Sequence, residues 1–195
     1  MIKTLCTIFL LILIQSCTPL IGAAGIASLS TASKEKGLGA SIGDTIISTK
    51  ISNKIFKYNP DLIKDTRVFV NNGSVLLTGK VKKPENKIEL TKIIWKIRGV
   101  REVNNEVQII DVSSIKNIAR DIASLSEIRA RILTNKKINS LNFSVDVVND
   151  IAYLSGIAEN DEEMKLVKDN AASARFIKTV FNFIILNTDL RWKNI

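Results

Sequence analysis

The chain has 195 residues, 46% of them hydrophobic and 6% aromatic, with 28 Lys+Arg against 19 Asp+Glu for a formal net charge of +9. It has no histidine and two cysteines, Cys6 and Cys17, which excludes a Ser-His-Asp triad, a Cys-His pair and any His-ligated metal. The balance of apolar and charged residues is that of a folded chain, and the length suits one domain of ordinary size or two small ones.

Lys3 gives a basic start, and Thr4 to Ile14 is an almost wholly apolar run of eleven residues. A membrane span needs roughly 20 such residues, so the run is too short to be one. A basic start, a short apolar run and then small or polar residues describe a secretory signal. Ile14-Gln15-Ser16-Cys17 follows and resembles a bacterial lipobox, with an aliphatic residue three places before the Cys and a small one directly before it. The resemblance implies that residues 1–16 are a lipoprotein signal peptide, that Cys17 becomes the mature N-terminus carrying acyl chains such as palmitate, and that Cys6 leaves with the signal. Thr18 stands where an Asp favours inner-membrane retention, which by analogy directs the protein to the outer membrane.

Residues 17–43 then read as the lipidated Cys and a flexible tether. Thr18 to Gly43 is rich in Gly, Ala and Ser, with five glycines and no aromatic residue. Its apolar part could also rest in the membrane interface.

From residue 44 the chain matches itself without gaps at an offset of 77. Ile51 falls on Ile128, Ile55 on Ile132, Val70 on Val147, Leu77 on Leu154, Thr78 on Ser155, Gly79 on Gly156 and Val103 on Val180. The period exceeds that of a solenoid repeat, which is about 20–50 residues. It predicts two copies of a small domain, residues 44–112 and 113–190.

Each copy reads as helix, strand, strand, helix, strand. In the first, Ile47, Ile51 and Ile55 recur every four residues on one helical face. Arg67 to Asn71 alternates as a strand, Asn72-Gly73 is a tight-turn pair, and Ser74 to Gly79 returns with Val75 and Leu77 on one face. Pro84 suits a first helical position, Leu90, Ile94 and Ile97 form an apolar stripe, Gly99 ends the helix, and Val103 to Ile109 is the third strand. Trp95 is expected to pack against its sheet.

The second copy has Ile128 and Ile132, strands at Phe143–Val148 and Ile151–Gly156, and a helix opened by Asn160 and Glu163 in the manner of a capping box. Val167, Ala171 and Ala174 form its stripe, and Val180 to Leu186 is its last strand. That strand is apolar on both faces, so one face is available for cover by the other domain. Ile115, Ile118 and Ile122 have helical spacing, so the linker 111–126 reads as an early extension of the second copy's first helix.

GSVLLTGKV, a helix and then GVREVNNEVQI resembles the BON domain. The first copy matches its pattern at Gly73, Val75, Leu77, Gly79, Gly99, Val100, Val103 and Asn104. The second keeps Leu154, Gly156, Ile177 and Val180 and departs with Asp150 and Phe176 for glycines and Phe181 for Asn. A lipobox, a small-residue tether and two such domains are together similar to dual-BON outer-membrane lipoproteins. The resemblance implies an α+β fold of two tandem BON domains, each αββαβ with a three-stranded mixed sheet and two helices on one face. It also implies a non-enzymatic role in outer-membrane integrity, with anionic membrane phospholipid as partner, from the periplasmic side of the outer membrane.

The residues supply candidate contacts. Residues 44–112 hold 13 basic and 8 acidic side chains, and residues 113–195 hold 12 and 10. The candidate lipid-binding cluster is Arg129, Arg131, Lys136 and Lys137, on and after the first helix of copy two. Lys80, Lys82, Lys83 and Lys87 form an alternative, and an ordinary solvated face reads the same way. Gly79 and Gly156 are read as structural. The alternative function is a protein-interaction or assembly-accessory module for envelope proteins, which apolar surface at Phe176, Phe181 or Phe183 would favour. No phosphate loop, zinc spacing or Gly-x-Ser-x-Gly is present, so no catalytic residue, metal or cofactor is assigned. The acidic run 161–163 sits at a helix start, where the dipole explains it. The high isoelectric point invites nucleic acid, but export removes that partner.

Overall fold

The computed structural model describes residues 38–110 and 115–189. The signal segment, both cysteines, most of the tether and Trp192 lie outside the described residues. Helix α1 (Leu38–Tyr58) buries Ile47, Ile51 and Ile55. It opens at Leu38, so residues 38–43 belong to this helix rather than to the tether. Asn59-Pro60 stops it, and a single turn, α2 (Leu62–Asp65), leads into strand β1 (Thr66–Asn71) with Leu62 buried beneath.

Asn72 and Gly73 both take positive φ (49° and 79°) and return the chain into β2 (Ser74–Val81), in the register Asn71↔Ser74 to Thr66↔Gly79. Helix α3 (Pro84–Trp95) crosses over, and Gly99 at φ 98° turns the chain back. The third strand runs parallel to β2 in two pieces, β3 (Glu102–Asn105) and β4 (Gln108–Ile109). The break at Glu106-Val107 is bridged by the Asn105 carboxamide oxygen, which accepts from the Val107 amide at 3.1 Å.

The second domain repeats the plan. Helix α4 (Ile115–Thr134) begins in the linker, as the spacing of Ile115, Ile118 and Ile122 predicts. A 3₁₀ turn (Ser140–Asn142), β5 (Phe143–Val148), β6 (Ile151–Ala158), α5 (Asp161–Ala172) and β7 (Thr179–Leu186) follow. At the start of α5 the Asn160 side chain accepts from the Glu163 amide at 2.9 Å. The Glu163 carboxylate reaches back to the Glu159 amide, and also holds the Asn139 amide, both at 2.8 Å. Each sheet is mixed, with β2 or β6 at its centre, antiparallel to one neighbour and parallel to the other.

The alternation of each strand sorts its residues between two layers. Val75 and Leu77 face α1 and α3, in a core with Leu90, Ile94 and Val107. Ala152 and Leu154 face α4 and α5, in a core with Ile128, Val167 and Ile184. The opposite faces of the two sheets pack on each other. Leu76 and Phe69 of the first domain meet Val148, Tyr153, Ile151 and Phe183 of the second. This is why β2 and β6 are buried along almost their whole length, as strands covered on both faces are. The order is therefore helices, sheet, sheet, helices.

Two hydrogen bonds between strand side chains cross this interface. Thr78 Oγ1 donates to Asp146 Oδ2 at 2.6 Å, and Asn71 Nδ2 donates to Ser155 Oγ at 2.7 Å. Thr78 and Ser155 correspond under the offset of 77, but their partners do not, since Asp146 matches Phe69 and Asn71 matches Val148. Gln108 adds bonds from its amide to Val148 O (3.2 Å) and Tyr153 Oη (3.1 Å), and accepts from Asn149 Nδ2 at 2.6 Å.

Gly79 and Gly156 sit inside the central strands, not at their ends. A Cβ on Gly79 would lie 2.1 Å from the Asp65 carbonyl oxygen, and one on Gly156 2.3 Å from that of Asn142. The incoming chain passes too close for any side chain. The second domain's departures from the glycine pattern keep the backbone geometry all the same. Gly43, Gly73 and Gly99 correspond to Arg120, Asp150 and Phe176, and the last two hold φ of 63° and 67°. Arg120 Nη2 binds Asp150 Oδ2 at 2.8 Å, and its guanidinium lies 4.8 Å from the centre of the Phe176 ring. One arginine thus supports both residues in a conformation that costs roughly 1–2 kcal/mol outside glycine.

Candidate functional site

Charge is distributed unevenly between interior and surface. Asp44, Asp121, Asp146, Asp150 and Glu163 are buried, while among the described residues no lysine or arginine is. The acids are turned inward to hold backbone amides, hydroxyls and a few cations at the rim. The outer surface is left predominantly cationic. Among the described residues no group of three or more His, Cys, Asp or Glu could hold a metal ion, and no helix is long and apolar enough to cross a membrane.

The four cations of the second-domain cluster do not converge. Arg129 and Arg131 are two positions apart on α4, which puts them about 200° apart around the helix. Arg129 Nη2 reaches Val145 O at 3.4 Å. Arg131 turns the other way and holds Glu127 through Nε and Nη2 at 3.2 and 2.9 Å. The Arg131 hydrogen bonds, joined by the Arg175 amide at 3.1 Å, keep the Glu127 carboxyl below its ordinary range. Lys137 pairs with Glu162 at 3.0 Å, both exposed. Lys136 is exposed and makes no ion pair among the described residues.

In the alternative cluster, Lys80 is drawn into the interdomain seam, 3.4 Å from Asp121. Lys82 and Lys83 line a groove that also contains Asp61 and Asp65, and Lys87 is half-buried nearby.

A different surface of the first domain gathers cations without acids. Lys50, Lys54 and Lys57 lie along one flank of α1 and face Lys96 and Arg98, just past the end of α3. Among the described residues no carboxylate lines this groove, and none of its five cations makes an ion pair. Lys96 also borders a second groove, with Ile88, Lys92 and Trp95. Trp95 does not pack against the sheet as expected. It is 53% exposed, and Ile88, about two turns earlier, is 58% exposed. The apolar stripe at Leu90, Ile94 and Ile97 claims the core face, and Trp95 lies about 140° away from Leu90 around the helix.

The strand aromatics divide. Phe183 is in the intersheet cluster, whereas Phe176 (under Arg120) and Phe181 (stacked on Tyr153 at 5.7 Å) stay exposed at one side.

Comparison with known proteins places this architecture. The model of the BON domain matches residues 43–111 and again 125–188. The chain is 31% identical over 146 residues to the "uncharacterized protein in gshII 5′ region" of Anaplasma centrale, covering 74% of this chain and 95% of that one. It is 26% identical over 149 residues to osmotically-inducible protein Y of Escherichia coli (strain K12), covering 74% and 73%. It is 24% identical over 147 residues to the outer membrane lipoprotein DolP of Haemophilus influenzae, covering 74% and 76%. With two matched segments that together take up most of its length, the chain belongs to the BON-domain family.

Proposed function

We propose that this is a non-enzymatic, lipid-anchored envelope protein whose folded part associates with anionic phospholipid and supports outer-membrane integrity. The observation that carries the reading is the sorting of charge. Buried carboxylates and exposed cations make the surface more basic than the composition alone. Near an anionic leaflet each Lys or Arg contributes about 1 kcal/mol. The likeness to an outer membrane lipoprotein, with Cys17 in a lipobox, supports the location at the periplasmic side of the outer membrane. Acyl chains at Cys17 contribute about 0.8 kcal/mol per buried CH₂, so more than one chain anchors firmly. Folded domains then add a second attachment at high effective concentration.

Flotation of a soluble chain from Thr18 to Ile195 with vesicles tests the reading. Among the described residues every core side chain lies between Ile47 and Ile184, so this chain keeps the described core. Flotation with phosphatidylglycerol-containing vesicles but not with neutral ones is expected. Equal flotation with both, or none with either, contradicts it.

A further inference from the structure

We propose that the outer flank of the first domain, formed by Trp95 and Ile88 of α3 and the cations Lys50, Lys54, Lys57, Lys96 and Arg98, is the face that meets the anionic bilayer surface. This rests on the phospholipid reading above and names the site where it occurs. Trp95 and Ile88 are large apolar side chains left in solvent on one stripe of α3. A tryptophan with one apolar face and a polar N–H suits the boundary between headgroups and acyl chains. The neighbouring groove supplies five cations with, among the described residues, no lining carboxylate and no ion pair to neutralise them. Lys96 borders both grooves, so apolar and cationic parts form one continuous surface. Beside Trp95 and Ile88, Lys92 pairs with Glu89 at 3.4 Å, while Lys96 continues into the cationic groove. An apolar wedge with such a cationic flank complements an anionic headgroup layer better than a neutral partner.

The internal repeat provides a control. Positions Ile88 and Trp95 correspond to Lys165 and Ala172, and Lys50, Lys57 and Lys96 to Glu127, Thr134 and Ser173. The second domain builds the same helix pair without the two apolar side chains and without three of the five cations, keeping Arg131 and Arg175 at the places of Lys54 and Arg98, so the fold does not require Ile88, Trp95, Lys50, Lys57 or Lys96. The first domain is also the one that the chain reaches first after Cys17.

The experiment uses the chain from Thr18 to Ile195 carrying Trp192→Phe, in which Trp95 is the sole tryptophan. It is mixed with phosphatidylcholine vesicles with and without phosphatidylglycerol. The expected result is a blue shift of Trp95 emission and protection from an aqueous quencher, only with the anionic vesicles. Ile88→Lys with Trp95→Ala, residues that the second domain tolerates at these places, should abolish most flotation. Lys54→Gln, Lys57→Gln and Lys96→Gln together should lower partitioning about a hundredfold at low salt. Each variant is compared only after its unfolding transition matches the parent's. Flotation of the parent with unchanged Trp95 emission, or equal flotation of both variants, overturns this site and leaves the phospholipid reading standing. A partner protein would then be the better occupant of the Trp95 surface. Absence of parent flotation at low salt overturns both.

Discussion

Asp44 and Asp121 stand 77 residues apart and hold equivalent turns in the same way. Asp44 accepts from the Asn72 and Gly73 amides at 2.8 and 3.0 Å, and Asp121 accepts from the Asn149 and Asp150 amides at 2.9 and 3.0 Å. Each acid lies on the first helix of its domain and ties that helix to the tip of the hairpin packed beside it. Hydrogen bonds to a charged acceptor contribute about 1.5–3 kcal/mol each. Asp44→Ala and Asp121→Ala should each lower stability by roughly 2–4 kcal/mol in chemical denaturation. Asn at either position keeps one acceptor oxygen for two amides and should lose about half as much.

The Arg120, Asp150 and Phe176 group replaces three glycines of the first domain, and its members should behave as a unit. Arg120→Ala removes the ion pair and the ring contact, yet leaves Asp150 and Phe176 at positive φ. We expect a loss of about 1–2 kcal/mol. Arg120→Gly, Asp150→Gly and Phe176→Gly together restore the first domain's solution and should cost less than the sum of the single changes. A thermodynamic cycle measures this coupling, and strict additivity would contradict it.

The interface bond between Thr78 and Asp146 joins two buried side chains across the sheets. Asp146 is only 1% exposed, and its other ionic partner, Arg67, approaches to 3.6 Å from a largely exposed position. Thr78→Val leaves that buried carboxylate short of a donor and should cost about 2 kcal/mol. Thr78→Ser, matching Ser155 in the repeat, should be nearly silent. Because small domains of this kind are marginal alone, Leu76→Asp in the apolar part of the seam should split one unfolding transition into two. Differential scanning calorimetry reads this directly.

Two groups carry stability that depends on pH in opposite senses. Glu127 is held below its ordinary range chiefly by the Arg131 side chain and the Arg175 amide. Its contribution is present above the unfolded value of about 4.3 and is lost as pH falls through the lower folded value. Burial pushes the Tyr153 phenol up, opposed by its hydrogen bond from Gln108. That contribution is present below about 10 and is lost as pH rises through the higher folded value. Glu127→Gln should flatten the acid limb of a stability–pH profile, and Tyr153→Phe the alkaline limb.

The repeat made both domains legible, because apolar side chains at matched positions survive divergence. Both hairpins and the early start of α4 followed from local spacing. The intersheet face was harder to see. Leu76 and Thr78 follow Val75 and Leu77 in one strand, and a continuous apolar run does not say what covers its second side. The onset of α1 at Leu38 was hidden because Gly39, Ala40 and Gly43 suggest a linker by composition. The acid pair was hidden for another reason: Asp44 and Asp121 match across the repeat, but only the fold puts them against the turns. For the surface, the stripe at Leu90 and Ile94 already assigned Trp95 to the far side of its helix. A tryptophan's usual preference for the interior points the other way. Counting cations along the chain likewise could not distinguish Arg131 and Lys137, which have carboxylate partners, from Lys50, Lys54 and Lys57, which have none.

The measurement that bears most directly on the account is the partitioning of the Thr18–Ile195 chain onto vesicles as anionic lipid and salt are varied independently. The account predicts steeply increasing binding with phosphatidylglycerol content, weakened by salt as the screening length falls to about 10 Å at 0.1 M. Binding indifferent to lipid charge and to salt, or no binding at any composition, would contradict it.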